Sequence, residues 1–156
     1  MASLSTELGK KGPFASLEQE AMLGIMRTSD LLENRVARLL REYGLTRSQY
    51  NVLRILRGEG KPMPCLEVAN RMIQVAPAIT RVVDQLVKSE WISKSQSAED
   101  RRVFLIELKP KARRLLKKLD QPILDLHANL LAGVSKTDQR ALIKILEKIR
   151  NGVRQP

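Results

Sequence analysis

Residues Val75 to Lys88 read V-A-P-A-I-T-R-V-V-D-Q-L-V-K, and this stretch decides how the rest of the chain is interpreted. On a helix its apolar side chains gather in one stripe, because they are spaced at i, i+3, i+4 and i+7: Ile79, Val82, Val83 and Leu86. The opposite side carries Ala78, Arg81, Gln85 and Lys88, flanked by Thr80 and Asp84. Small residues let a backbone approach a DNA major groove, and long polar side chains reach its phosphates and base edges. The same pattern also suits an ordinary, partly solvated amphipathic helix, so the neighbouring segments decide between the two interpretations.

The segment before this stretch carries a strong helix start. Thr46-Arg47-Ser48-Gln49 is a capping box, in which the Thr46 side chain accepts from the third amide of the helix and Gln49 reaches back. The helix is predicted to end at Gly58-Glu59-Gly60. Lys61 to Pro64 is predicted to be an extended connector, because proline disfavours helix in the residue before it.

A further short helix is predicted from about Pro64 to Ile73, and a turn around Gln74 leads from it into the first stretch. Two short helices joined by a tight turn, the second with an exposed basic side, form a helix-turn-helix candidate. Many helical proteins contain such pairs, so the segment that follows is needed to interpret this one.

A β-hairpin is predicted after the second of these helices. Trp91 to Lys94 and Val103 to Leu108 have the composition of strands, and the polar loop between them ends in Arg101 and Arg102. Hairpin tips are usually just solvated, but arginines beside a DNA-reading helix could enter the minor groove, where the negative potential favours them. The order helix, turn, helix, hairpin predicts a winged helix.

The two ends of the chain hold more apolar helix than a winged helix needs. One helix is predicted from about Phe14 to Tyr43, a second from Lys109-Pro110 to Gly133, bent at Pro122, and a last one after a cap at Ser135. A monomer would leave much of their apolar surface in water. Dimerisation through the chain ends is therefore expected.

Composition narrows the partner class. The 28 Lys and Arg against 17 Asp and Glu give a net charge of +11, which indicates nucleic acid or an acidic membrane surface. The segment from Lys94 to Lys118 alone holds nine basic and three acidic residues, a net +6. The single cysteine, Cys65, and the single histidine, His127, argue against a disulfide, a zinc site or any other metal site. With no signal peptide or membrane span in the sequence, we expect a soluble cytoplasmic protein without a cofactor.

These features together resemble the MarR family of winged helix-turn-helix transcriptional regulators, over about Leu17 to Arg150. The segment Asp100 to Leu108, D-R-R-V-F-L-I-E-L, resembles the family's wing signature, D-x-R followed after five residues by Leu. Leu45 to Tyr50 resembles the start of the family's second helix. Val68 to Met72 and Ile79 to Leu86 resemble its two reading helices.

The resemblance implies a mainly α fold (α+β) with a small hairpin wing, flanked by N- and C-terminal dimerisation helices. The sequence of residues 1–13, with Gly9, Lys10, Lys11 and Gly12, predicts a flexible N-terminal arm, and the resemblance implies a regulator domain at 14–153. Within that domain, 46–108 would form the DNA-binding lobe, and 14–43 with 110–153 the dimerisation lobe. The homodimer would bind pseudo-palindromic double-stranded DNA as a repressor, and a small phenolic-type effector or an oxidant would release it.

The resemblance also implies roles for individual residues. Arg102 is expected in the minor groove and Asp100 is expected to brace it, while Thr80 and Arg81 would face the major groove from the start of the reading helix. The full set of expected DNA contacts is Gln74, Ala76, Pro77, Ala78, Thr80, Arg81, Gln85, Arg101 and Arg102. Three positions depart from the family pattern: Lys109 stands in place of a capping Thr, Ile73-Gln74 in place of a turn Gly, and Glu90 in place of Gly before the wing.

Other interpretations remain beside this one. The chain could be a basic architectural or protein-binding winged helix without an effector. An enzyme is disfavoured, because the sequence has no Gly-rich phosphate loop and no nucleophile paired with a histidine. Cys65 could be an oxidant sensor, but its place on an apolar stripe favours a small buried hydrophobe.

Overall fold

The computed structural model describes residues 3–73 and 79–154, and within these the chain is mostly helical. The helices are α1 (Leu4–Glu7), α2 (Leu17–Glu42), α3 (Arg47–Glu59), α4 (Cys65–Asn70), α5 (Ile79–Lys88), α6 (Pro110–Leu130) and α7 (Lys136–Arg154). The strands are β1 (Met63–Pro64), β2 (Ile92–Gln96) and β3 (Phe104–Leu108). No helix in these two ranges is long and apolar enough to cross a membrane.

The chain divides into two compact units, and the division lies inside α6, between Asp120 and Gln121. The first unit contains α1 to α5, the sheet and the first half of α6. The second contains the remainder of α6 and α7. Pro122, where the sequence predicts a bend, lies inside α6 two residues beyond the division.

The core of the first unit lies between α3, α5, the sheet and the start of α6. Its fully buried side chains come from these elements and also from α2, α4 and the α2–α3 connection: Leu40, Leu45, Val52, Leu53, Leu56, Met63, Val68, Val83, Leu86, Ile92, Ile106, Ala112, Leu116 and Leu119. The capping box predicted for α3 is confirmed: the Gln49 amide donates to Thr46 Oγ1 at 3.2 Å, and the Thr46 amide donates to Gln49 Oε1 at 2.9 Å.

The sheet has one strand more than the predicted hairpin. β2 and β3 pair antiparallel as expected, from Ile92 opposite Leu108 to Gln96 opposite Phe104. The connector before α4 adds β1 to the free edge of β3, with Met63 opposite Ile106. An edge strand tolerates proline, since one side of it needs no amide donor, and the burial of Met63 stabilises the pairing.

Two segments differ in extent from the sequence predictions. α4 ends at Asn70 and not at Ile73, because the backbone hydrogen bonds tighten there: the Met72 amide reaches only to the Ala69 carbonyl, at 3.2 Å. The predicted N-terminal arm contains a helical turn, α1, capped by the Ser3 side chain and joined to α2 by an ion pair between Glu7 and Arg27 at 3.5 Å.

Candidate nucleic-acid interface

Helix α5 presents two chemically distinct sides. Val83 and Leu86 are fully buried in the core, and Ile79 and Val82 are half-buried, which confirms the predicted apolar stripe. Thr80, Arg81 and Gln85 are exposed on the other side. The apolar stripe thus anchors the helix to the first unit while its polar side remains available to a ligand.

Four residues of the expected DNA-contact set lie outside the described residues. They are Gln74, Ala76, Pro77 and Ala78, which precede α5 in the sequence. The described part of the candidate interface therefore begins at Ile79.

The loop between β2 and β3 is organised by Asp100 and Arg102. One Asp100 carboxylate oxygen accepts from the Arg102 amide at 2.9 Å and from Arg102 Nε at 3.1 Å, and the other accepts from Nη2 at 3.1 Å. These hydrogen bonds, the side-chain ones first, hold the pKa of the Asp100 carboxyl below its ordinary value. The Arg102 side chain is nevertheless 91% exposed. The two side-chain hydrogen bonds to Asp100 fix the orientation of the Arg102 guanidinium, and the rest of the side chain is exposed to solvent.

Lys94 joins the wing to α5. Its ammonium lies 3.3 Å from the carboxylate of Asp84 on α5 and 4.8 Å from the centroid of the Phe104 ring on β3. The sequence pattern places Asp84 at the flank of the polar side of α5 and indicates no contact for Lys94. A strand residue and a helix residue ten positions apart give no periodic signal, so this contact was not predictable from the pattern.

A second contact ties α5 to the start of α3. The Gln49 side-chain amide donates to Gln85 Oε1 at 3.4 Å, while its own oxygen completes the capping box. Gln85 therefore lies on the exposed side of α5, as expected, but its oxygen is engaged within the protein. Its amide group is the part that is left to make an outside contact.

Arg71 is the residue that follows the end of α4 at Asn70. It donates to Glu59 Oε2 at 2.8 Å and also binds Glu67, so that it links the end of α3 to α4. The hydrogen bond from Arg71 lowers the pKa of Glu59, and the same bond raises the pKa of Arg71. The sequence pattern assigns Arg71 to a reading-helix segment but indicates no partner for its side chain.

Glu90, one of the family departures, has a left-handed backbone with φ of 57°. Its amide donates to the Val87 carbonyl at 2.9 Å, and the Trp91 amide donates to the Leu86 carbonyl at 3.0 Å. These two bonds form the Schellman ending that glycine usually provides. The backbone conformation expected of glycine is thus retained with a glutamate in it.

Cys65 opens α4 and is half-buried. Burial raises the pKa of its thiol, and the nearby charge of Lys94 opposes that shift. A thiol with a raised pKa holds little of the reactive thiolate at neutral pH. Across residues 3–73 and 79–154 no group of three His, Cys, Asp or Glu side chains is placed to hold a metal ion.

Comparison with known proteins agrees with this geometry. A family model described as MarR family matches residues 45–104. The uncharacterized HTH-type transcriptional regulator YpoP of Bacillus subtilis (strain 168) is 29% identical over 105 residues, which cover 67% of this chain and 74% of that protein.

Solved structures extend the likeness over most of the chain. A MarR transcription factor from Planctomyces limnophilus is 32% identical and covers 86% of this chain and 98% of its own, with a TM-score of 0.67. Bordetella bronchiseptica BpsR, solved to explain regulation of its DNA binding by 6-hydroxynicotinic acid, shares the fold at 20% identity, covering 81% of this chain and 95% of its own with a TM-score of 0.73. Because the Planctomyces limnophilus protein is 32% identical over most of both chains, and the family model matches residues 45–104, the chain belongs to the MarR family of DNA-binding transcriptional regulators.

Proposed function

We propose that this protein is a dimeric repressor that binds pseudo-palindromic operators and leaves them when a small aromatic ligand binds. The observation that carries the proposal is the wing: Arg102 is held by two oxygens of Asp100 and is still 91% exposed. An arginine so pre-oriented loses little further freedom when it enters a minor groove, where the potential favours it.

The DNA-contacting set follows from the wing and α5 together. Thr80 and Arg81 on the exposed side of α5 are proposed to read the major groove, and Arg102 the minor groove, with Arg101 on phosphate. Gln85 is proposed as a weaker contact, because Gln49 occupies its oxygen. We assign residues 46–108 to this DNA-binding role, and 14–43 with 110–153 to dimerisation.

Exposed apolar side chains support the dimer. On α2 they include Leu17, Met22 and Met26, the last 61% exposed. On α7 they include Leu142, Ile145, Ile149 and Val153, which form an apolar stripe at helical spacing, with Ile145 54% exposed. A single chain that shows this much aliphatic surface to water is expected to cover it with a second copy.

A ligand is favoured over an oxidant as the releasing signal. The raised pKa of the half-buried Cys65 thiol argues against rapid oxidation, because the thiolate is the reactive form. The DNA binding of the Bordetella relative is regulated by 6-hydroxynicotinic acid, a hydroxylated aromatic acid. We extend only that chemical class to this protein: small aromatic molecules with a hydroxyl or carboxyl group.

A footprint on the DNA upstream of the protein's own gene tests the proposal. A discrete protected palindrome, lost on addition of 6-hydroxynicotinic acid or a simple phenol, is the expected result. Arg102→Ala should raise the protein concentration needed for protection, whereas Lys148→Ala, which removes an exposed cation from α7, should leave it unchanged. Uniform coating of the DNA would instead support the alternative favoured by the net charge of +11, a basic architectural protein without an operator.

A further inference from the structure

The first half of α6 carries an unusually basic surface. Lys109 to Lys118 contains six Lys or Arg and no acidic residue. Four of them form the basic face, defined here as Arg113, Arg114, Lys117 and Lys118, all exposed. The helix turns its buried side, Ala112, Leu116 and Leu119, into the core of the first unit, so helical spacing places the basic face toward solvent.

Among residues 3–73 and 79–154, no carboxylate forms an ion pair with the basic face. Lys109 lies 3.9 Å from Glu90, and the Lys111 ammonium donates to the Ser89 carbonyl at 3.2 Å. For the four residues of the basic face, the described part of the chain shows no ion pair and no side-chain hydrogen bond. They are therefore cations that the fold itself does not use.

The placement of these cations is unfavourable for an isolated helix. Arg113 with Lys117, and Arg114 with Lys118, are like charges four residues apart, which repel. They also lie in the N-terminal half of α6, whose first turn holds no acid, although the helix dipole favours negative charge there. By contrast α2 and α7 both have acids in the first turn. A bound polyanion would remove both penalties at once.

The composition of the face favours nucleic acid over an acidic protein. Between Pro110 and Lys118 every exposed side chain other than the proline is Lys or Arg, with no aromatic or aliphatic anchor among them. Protein interfaces depend on such anchors at their centre and are depleted in lysine there. Protein–DNA interfaces are strongly positive and rely on phosphate contacts.

We propose that the basic face binds the phosphate backbone of a second DNA segment, apart from the one that α5 and the wing read. α6 begins against the C-terminal end of α5, through the Lys111–Ser89 contact. Thr80 and Arg81 lie near the other end of that helix, roughly 12 Å away along its axis. Recognition helices reach bases with their N-terminal residues, so their C-terminal end is turned away from the groove. The inference rests on the proposed function in one respect only: it takes α5 as the helix that binds the first DNA segment.

A capture assay tests this inference. The DNA upstream of the protein's own gene is immobilised and saturated with protein, and a labelled duplex of unrelated sequence is added. The test variant changes Arg113, Arg114, Lys117 and Lys118 together to Gln, which keeps helix propensity. The control changes Lys136, Arg140, Lys144 and Lys148 to Gln. These four cations of α7 are also exposed, and their helical spacing places them opposite the apolar stripe of that helix. Their substitution removes the same amount of positive charge as the test variant.

The wild type and the control should capture the labelled duplex, and the α6 variant should capture roughly tenfold less while still holding the immobilised DNA. In solution, the logarithm of the binding constant for the unrelated duplex falls linearly with the logarithm of the salt concentration. The α6 variant should reduce the magnitude of this slope by about 3 to 4, and the control should reduce it by less. Undiminished capture by the α6 variant, or equal losses in both variants, would overturn the proposal. Undiminished capture would leave an acidic protein as the alternative occupant.

Two further measurements keep the outcome interpretable. If the full variant melts below the wild type, the pair Arg114→Gln with Lys118→Gln is used, and about half the loss of capture is expected. If no discrete footprint exists, the proposed function fails, but binding of the unrelated duplex in solution still compares the α6 variant with its control. The two proposals can thus fail separately.

Discussion

Gly44 and Glu90 occupy the same position in two helix endings of the same type. Their φ angles are 71° and 57°. In each case the next amide donates to a carbonyl five residues earlier at 3.0 Å, Leu45 to Leu40 and Trp91 to Leu86. Glycine adopts this left-handed backbone freely, whereas a residue with a Cβ is strained in it. The end of α5 therefore contains strain that the end of α2 avoids.

Glu90→Gly should raise the free energy of unfolding by about 1 kcal/mol, because the relief of a left-handed Cβ exceeds the entropy that glycine adds to the unfolded chain. The ion pair lost with Lys109 is long and exposed and contributes little. Urea unfolding provides the measurement, with Gly44→Ala as the matched reverse change, expected to destabilise by about 1 kcal/mol. A Glu90→Gly protein less stable than wild type would show that the glutamate has a stabilising role.

Asp100→Asn should weaken operator binding less than Arg102→Ala, for which a loss of about 1–3 kcal/mol is expected. The asparagine oxygen can still accept from the Arg102 amide, but the charged fork that orients the guanidinium is lost. Fluorescence anisotropy on the footprinted operator gives both values. Equal affinity of Asp100→Asn and wild type would show that the brace is not needed for binding.

The same brace has a defined pH dependence. Because the Asp100 pKa is lower in the folded protein, the brace is fully present above the ordinary carboxyl pKa and is lost only as pH falls through the lowered value. A carboxyl carbon titration by NMR should therefore give Asp100 a lower pKa in the wild type than in an Arg102→Ala protein. A pKa unchanged by that substitution would contradict the hydrogen-bond explanation.

Cys65 should react slowly at neutral pH, since burial raises the pKa of its thiol. Iodoacetamide alkylation of the native protein should be slower than that of the urea-unfolded protein at pH 7, and the two rates should converge at alkaline pH. Cys65→Ala should retain operator binding and respond to peroxide as the wild type does. A peroxide response that disappears in Cys65→Ala would establish the oxidant sensor.

Ile145→Asp should convert the proposed dimer to a monomer, because it places a charge in the exposed apolar stripe of α7. Lys144→Asp is the matched control, since the neighbouring residue lies on the polar side of the same helix. Sedimentation velocity distinguishes the two states, and the monomer should bind the operator much more weakly, as each subunit then reads one half-site alone. An Ile145→Asp protein that remains dimeric would remove α7 from the proposed interface.

The features that sequence analysis predicted correctly are those with local signals. The capping box depends on Thr46 and Gln49, three residues apart, and the α5 stripe on a regular helical period. The β2–β3 hairpin depends on a strand pattern and a short loop. Each of these features lies within one short segment, the longest of them the hairpin from Ile92 to Leu108, so the local sequence pattern contains it.

The features that it missed join distant segments. β1 forms because Met63 meets Ile106 across the sheet, and no local pattern reports a pairing over that separation. The bridges from Lys94 to Asp84 and from Gln49 to Gln85 exist because folding brings separate elements within hydrogen-bond reach. The same holds for Arg71, whose partners Glu59 and Glu67 come from two helices.

By itself, the sequence determined the order of helices and hairpin and the apolar stripes, because the hydrophobic period is a local property of the chain. The pairing of Asp100 with Arg102 was implied by the resemblance of residues 100–108 to the family's wing signature. Only the tertiary structure decided which polar groups are already engaged, as Gln85 is, and which remain available, as the Arg102 side chain and the basic face of α6 do. The physical reason is that exposure and partnership depend on distances between segments that only packing of the core sets. The stretch from Val75 to Lys88 illustrates the difference between local and tertiary information. Its apolar period made α5 predictable from the sequence, whereas only the tertiary structure revealed the contacts of α5 with α3 and with the wing.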